Sequence, residues 1–209
     1  MMERNTILRF DHISKVCSRS DYIDDGAYKF SEIGIENTIG RFAFMDFKEK
    51  NIDMYFYEND FPVEIVLYDQ ITGYSQIRVE ENMVVCKADI IKINLIKNVF
   101  YLLGFEPSIE DELKWKISGM FNSKVIYLRL ELVENIETIP INWGGWNCPC
   151  FLVKSVSSLF EKLRNEYGIV LSEVNQLSVN GKCLDIGFLK IKGLEMSFEF
   201  ISLHKDKRC

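Results

Sequence analysis

The chain has 209 residues, 31 acidic against 25 basic side chains and a net charge of −6, with 47% hydrophobic and 27% charged residues. This is an ordinary globular composition, long enough for one large domain or two small ones with a substantial core. The negative balance argues against a nucleic-acid or anionic-membrane partner, because phosphate binding needs clustered Lys and Arg.

Taken in order, residues 1–10 carry Glu3, Arg4 and Asn5 where a secretory leader would need apolar residues. Six cysteines without such a leader read as reduced thiols, which places the protein in the cytoplasm. The run ILRFDHISKVC (7–17) is predicted to be a strand by its Ile, Phe and Val content. DYIDDGAYKFSEIG (21–34) sets Ile23, Ala27, Phe30 and Ile33 at helical spacing and ends on Gly34. Three strand candidates follow at 41–47, 52–58 and 62–70, separated by the turn signals KEKN and NDFP.

After a hinge-like ITGYSQ (71–76), NMVVCKAD (82–89) reads as a strand. The next segment, 90–105, reads as a helix that is apolar almost all round and therefore buried on more than one side. Its apolar core, Val99 to Leu103, is far too short to span a bilayer. ELKWKISG (112–119) and KVIYLRLELVE (124–134) read as strands. A Pro-, Gly- and Trp-bearing link, 134–147, leads to the strand WNCPCFLVKSV (146–156). In the helix SSLFEKLRNEYG (157–168), Ser158 and Glu161 have capping-box spacing and Gly168 supplies the stop. Strands at 182–193 and 194–203 close the chain, and the tail HKDKR, with His204, is expected to be solvated.

The order repeats. Gly34 and Glu64 lie 22 and 52 residues after His12. Gly104 and Glu131 lie 21 and 48 after Met83, and Gly168 and Glu199 lie 20 and 51 after Cys148. A recurring period decides architecture before individual elements do. The expected fold is α+β: repeated βαβββ modules at 6–70, 80–135 and 146–203, the middle one incomplete, forming a curved mixed sheet around a cavity.

FDHISKV, YKFSEIG, VFYLLGF, FPVEIVLYDQ and EMSFEFISL together resemble the vicinal oxygen chelate superfamily, which includes glyoxalase, methylmalonyl-CoA epimerase and bleomycin-resistance proteins. The resemblance covers the starts and ends of the outer modules and part of the middle one. It implies two modules closing around a cavity, with metal ligands from the first and last strands of each. Carried over by position, these are His12 and Glu64 in the first module, Cys148 and Glu199 in the third, and Met83 and Glu131 in the second. Cys148 stands where the family has His and can still bind zinc as a thiolate. Met83, a thioether, suits no hard divalent ion. The first and third modules therefore make the better chemical pair. A second and third pairing is simpler by chain order and would leave the first module to pair across a homodimer.

The implied activity is a divalent-metal-assisted lyase, isomerase or epimerase acting next to a carbonyl. Zinc, manganese or cobalt would sit on His12, Glu64, Cys148 and Glu199, and Glu64 or Glu199 would serve as base. The alternative is a metal-free protein of the same fold that binds a small apolar or aromatic compound, an alternative the missing histidines favour. Each residue has a plainer reading: His12 as a hydrogen-bonded strand-end histidine, the glutamates on a wet sheet face, Cys148 and Cys150 as inert buried thiols. Pro149 implies an edge position or a strand start. Lys87, Arg129 and Lys154 read as surface charges, and Trp143 and Trp146 as a structural turn or an aromatic lid over the cavity. No Gly-rich phosphate loop, HExxH or nucleophile elbow is present.

Overall fold

A computed structural model describes residues 7–18, 29–34, 41–46, 56–58, 61–68, 71–121, 124–140, 143–179 and 182–203. The start of the expected helix at 21–28, the expected strand residues 52–55 and the tail His204 lie outside these residues. No helix among the described residues is long and apolar enough to cross a membrane.

The architecture is α+β, with mixed sheets and two α-helices among the described residues. The larger sheet has eight strands. At its centre β1 (Ile7–Ser18) runs antiparallel to β11 (Gly145–Val153), with partners from Ile7↔Val153 to Val16↔Gly145. Outside β1 lies β5 (Phe61–Tyr68), parallel to it, and then β4 (Phe56–Glu58). Outside β11 lies β15 (Ser197–Leu203), parallel to it, then β14 (Lys182–Ile191). β12 (Ile169–Leu171) and β13 (Asn175–Val179) both pair with β14. The first and last segments of the chain thus share one sheet, joined at their leading strands.

The middle segment forms its own five-stranded sheet. Its members are β6 (Arg78–Glu80), β7 (Met83–Asp89), β10 (Lys124–Val133), β9 (Lys114–Phe121) and β8 (Glu106–Pro107), in that spatial order. β7 is parallel to β10, so all three segments bring their leading strand beside their final one in parallel.

Alternation along the strands divides each sheet into two faces. On the larger sheet, Phe10, Ile13, Phe61, Val63, Phe151, Val153, Phe198 and Phe200 enter the main core. Rings there meet edge-on or tilted: Phe10 against Phe61 and against Phe151 at 5.8 Å, and Phe151 against Phe198 at 5.9 Å. α1 (Ile93–Leu103) carries the core across to the middle sheet through Phe100, which packs on Trp115 at 5.3 Å and on Phe198 at 6.0 Å. α2 (Val156–Leu163) covers the same face with Val156, Leu159, Phe160 and Leu163. The opposite face of the larger sheet carries the polar residues of interest.

Several local expectations need correction. Residues 29–34 form β2 (Lys29–Gly34), a strand paired with β3 (Arg41–Asp46), although their apolar spacing predicts a helix. α1 is not buried all round: Ile96, Val99, Phe100 and Leu103 are buried, while Tyr101 and Leu102 face solvent. Gly104 does end it, at φ +87°. Ser155, not Ser158, caps α2, its side chain accepting from Ser158 N. That helix stops at Leu163, ahead of Gly168. Pro149 lies in the middle of a central strand, not at an edge. Cys17, Cys86, Cys148 and Cys150 are free thiols, but Cys183 is in a disulfide, so the reading of six reduced cysteines fails there.

Candidate functional site

His12 owes its setting to an irregular strand. The β1–β11 ladder shifts register between Phe10 and His12 and again between Ile13 and Lys15. Neighbours on a regular strand point to opposite faces, but Asp11 and His12 are both buried, at 4% exposure each, and touch one another. His12 Nδ1 lies 3.1 Å from Asp11 Oδ2, and Arg9 Nη2 donates to Asp11 Oδ1 at 3.1 Å. An ionised carboxylate only accepts, so Nδ1 carries the proton and Nε2 faces the rest of the site.

Two glutamates converge on that nitrogen. Glu64 Oε2 lies 3.1 Å from His12 Nε2, and Glu199 Oε2 lies 3.8 Å from it. Alternation puts Glu64 on the face of β5 that carries Val66 and Tyr68, and Glu199 on the face of β15 that carries Ser197 and Ile201. Burial pushes the Glu64 carboxyl above its ordinary value; His12 opposes this, and repulsion from Glu199 and Asp11 adds to it. Burial likewise raises the Tyr68 phenol.

The ladder registers put His12 opposite Cys150, and Cys150 opposite Glu199. One row across β1, β11 and β15 therefore presents an imidazole, a thiol and a carboxylate, whose ligand atoms all lie within 4.8 Å of one another. Cys148 lies two residues back on the same face, and its Sγ donates to Ser197 O at 3.2 Å. Burial, followed by the nearby Glu199 charge, raises both thiols well above their ordinary values. Ile186, Phe188 and Ile201 pack with the two cysteines as a small apolar cluster on this face.

The middle segment builds no comparable site at its matching positions. Glu131 is held by Arg78 at 2.6 Å in a solvent-exposed pair, and hydrogen bonding to that guanidinium lowers its carboxyl pKa. Lys87 reaches Gln76, Arg129 lies 3.6 Å from Asp111, and Lys154 is exposed, so these cations belong to the surface. Trp143 packs against Gly73, and Lys15 sits 4.9 Å over the Trp146 ring. An open groove of about 610 Å³ between α2 and β12, lined by Phe160, Arg164, Ile169 and Val174, lies on the helix-covered side, away from His12.

Of the four residues singled out in the sequence, the structure brings His12, Glu64 and Glu199 together and sets Cys148 one pleat further along. Cys150, not Cys148, stands opposite His12 in the ladder. The sequence reading assigns the ligand position to Cys148, two residues from Cys150, and gives Asp11 no role. The signal for Asp11 is its adjacency to His12, meaningful only once the strand is known to be irregular. Imidazole, carboxylate and thiol donors at these separations fit a divalent ion of the zinc or cobalt kind, and the Asp11–His12 contact is the second-layer support that ligating histidines usually have.

No protein-family model matches the sequence, and neither does any curated protein. Several solved structures match it at low identity and low TM-score. A candidate dioxygenase from Bacillus subtilis matches 93% of this chain at 13% identity with a TM-score of 0.38, and the chain spans 62% of that protein's length. Methylmalonyl-CoA epimerase from Mycobacterium tuberculosis matches 98% of this chain and 94% of its own, at 10% identity and a TM-score of 0.39. Glyoxalase I from Zea mays matches 95% and 69%, at 9% identity and a TM-score of 0.38. At these values no residue's role carries across. The strand order places the two leading strands antiparallel at the centre with their final strands parallel outside them.

Proposed function

We propose that this chain, whose strand order is similar to that of the vicinal oxygen chelate superfamily, binds a divalent metal on His12 and Glu199 and, with Glu64 as the base, promotes a proton transfer next to a carbonyl. The activity would be that of an epimerase, isomerase or lyase on a small oxo-acid or thioester. The observation that carries the reading is the convergence of two carboxylates on one imidazole whose other nitrogen a third carboxylate already holds. Asp11 has Arg9 beside it, which leaves two largely buried carboxylates around one imidazole, an arrangement that a bound cation would balance. A metal ion in this position would supply Lewis acidity to a carbonyl oxygen.

The chain's own groups then divide the remaining work. Asp11 fixes the imidazole's tautomer and orientation. Glu64, with its carboxyl raised toward neutrality, holds or takes a proton at Oε2. Ile186, Phe188 and Ile201 present an apolar surface beside the acids, where water is excluded and electrostatic interactions are strong. In this reading the outer modules, 6–70 and 146–203, form one working domain, and the segment 80–135 is an accessory sheet packed behind it.

One observation favours a metal-free binding protein instead. A protonated Glu64 can donate to His12 Nε2 and close the network Asp11–His12–Glu64 with protons alone. The metal content of protein purified without chelators, measured beside His12→Ala and Glu199→Ala, separates the two. The metal reading expects stoichiometric metal in the native protein and its loss in both variants. A metal-free native protein that does not respond to zinc, manganese or cobalt would establish the binder.

A further inference from the structure

We infer that Cys150 is a thiolate ligand of this site, so that its metal is zinc or cobalt and not an ion that prefers oxygen, such as magnesium or manganese. The inference rests on the metal reading above and adds a residue and a metal class to it. Its ground is the register. Cys150 sits on the strand between those of His12 and Glu199, directly opposite both, and the three ligand atoms lie within 4.8 Å of one another. A ligand set drawn from three adjacent strands at one level needs no movement of backbone. Cys148, by contrast, already gives its S–H to Ser197 O.

Two further observations point the same way. The donors are dry: Cys150 is 0% exposed, His12 4% and Glu199 5%. Magnesium keeps several waters and binds carboxylates through an incomplete shell, which this burial does not accommodate. Ser197 Oγ, fully buried on the face that bears Glu199, has no hydrogen-bond partner, so a polar group remains beside the donors for a bound ligand to engage. Charge also balances: one thiolate and one carboxylate neutralise a divalent cation, with imidazole as the neutral third ligand. Glu64 is then left for proton transfer. Forming the metal–sulfur bond breaks the Cys150 S–H bond, and the proton leaves to the buffer. Three protein ligands and one remaining position is the pattern of catalytic zinc sites, which structural sites with four protein ligands lack.

Titration of the full chain with cobalt(II), followed by absorption spectroscopy, tests this directly. The native protein is expected to take up one cobalt with visible ligand-field bands and a near-ultraviolet sulfur-to-cobalt charge-transfer band. Cys148→Ser should keep that band, and Cys150→Ser should lose it while retaining ligand-field bands. Cobalt bound by the native protein without the sulfur band overturns the Cys150 assignment and leaves the His12–Glu199 site standing. A sulfur band that survives Cys150→Ser and disappears in Cys148→Ser overturns it too. No cobalt uptake by the native protein overturns both readings together. The native spectrum can by itself contradict the assignment, whether or not either variant folds.

Discussion

Glu64 is the residue whose behaviour depends most on what fills the site. Its carboxyl is raised by burial, so the folded state holds its proton more tightly than the unfolded chain does. The sign follows: its contribution to stability is complete below the unfolded value of about 4.3 and is lost as pH rises through the higher folded value. Metal-free protein is therefore expected to lose thermal stability as pH rises through that window, and Glu64→Gln to flatten the slope. A midpoint that falls equally steeply in Glu64→Gln would show that the site does not repel the charged form. Asp11→Asn tests the support of the imidazole. It should weaken zinc binding by about 10–100-fold, the usual cost of losing an outer partner of a ligating histidine. An unchanged affinity by calorimetry would remove Asp11 from the site.

Three of these positions were legible in the sequence because spacing within a repeated block survives low identity. His12, Glu64 and Glu199 sit at matching ends of matching strands, and strand alternation already aimed the two glutamates. The choice between Cys148 and Cys150 was not legible. It depends on register shifts in β1 on either side of His12, and one slipped residue changes which neighbour stands opposite.

At the scale of elements, the misreadings have local causes. Residues 21–34 satisfy helical spacing, yet pairing with Arg41–Asp46 settles 29–34 as a strand. β12 and β13 are only three and five residues long, too short for a pattern that separates them from a loop. The helices are held by packing more than by propensity. Phe100 on α1 meets Phe105, Trp115 and Phe198 at 5.2, 5.3 and 6.0 Å and joins the two sheets. Phe100→Ala should cost about 3–5 kcal/mol, as fully buried aromatic truncations do. Urea unfolding would read this as a lower midpoint, and a loss below about 1 kcal/mol would mean that the joint between the sheets collapses around the gap.

For the whole molecule, the question is how the middle sheet is fastened to the larger one. Glu195, 2% exposed, accepts from Gln76 N at 3.2 Å and Lys87 N at 2.9 Å through its two carboxylate oxygens. Its backbone pairs with Lys87 O and Ile139 N. A single turn thus ties the linker, β7 and the approach to β11 to the start of β15. Glu195→Ala would strand two amide donors, each costing about 1–3 kcal/mol when buried unpaired. The expected result is a lower midpoint and faster proteolysis within residues 71–77. Native-like resistance there would show that the apolar seam alone holds the sheets together. The middle sheet's own face is solvated and carries the Arg78–Glu131 pair, which fits a support better than a second site.

The central claim is that positions from the two ends of the chain meet at one cation site on the shared sheet. Anomalous diffraction at the zinc edge, from crystals grown with zinc, tests it most directly. The account predicts one strong peak within about 2.0–2.1 Å of His12 Nε2, the usual zinc–imidazole distance, with Glu199 also in contact. Zinc bound only elsewhere, or His12 and Glu199 on opposite sides of the molecule, would contradict it.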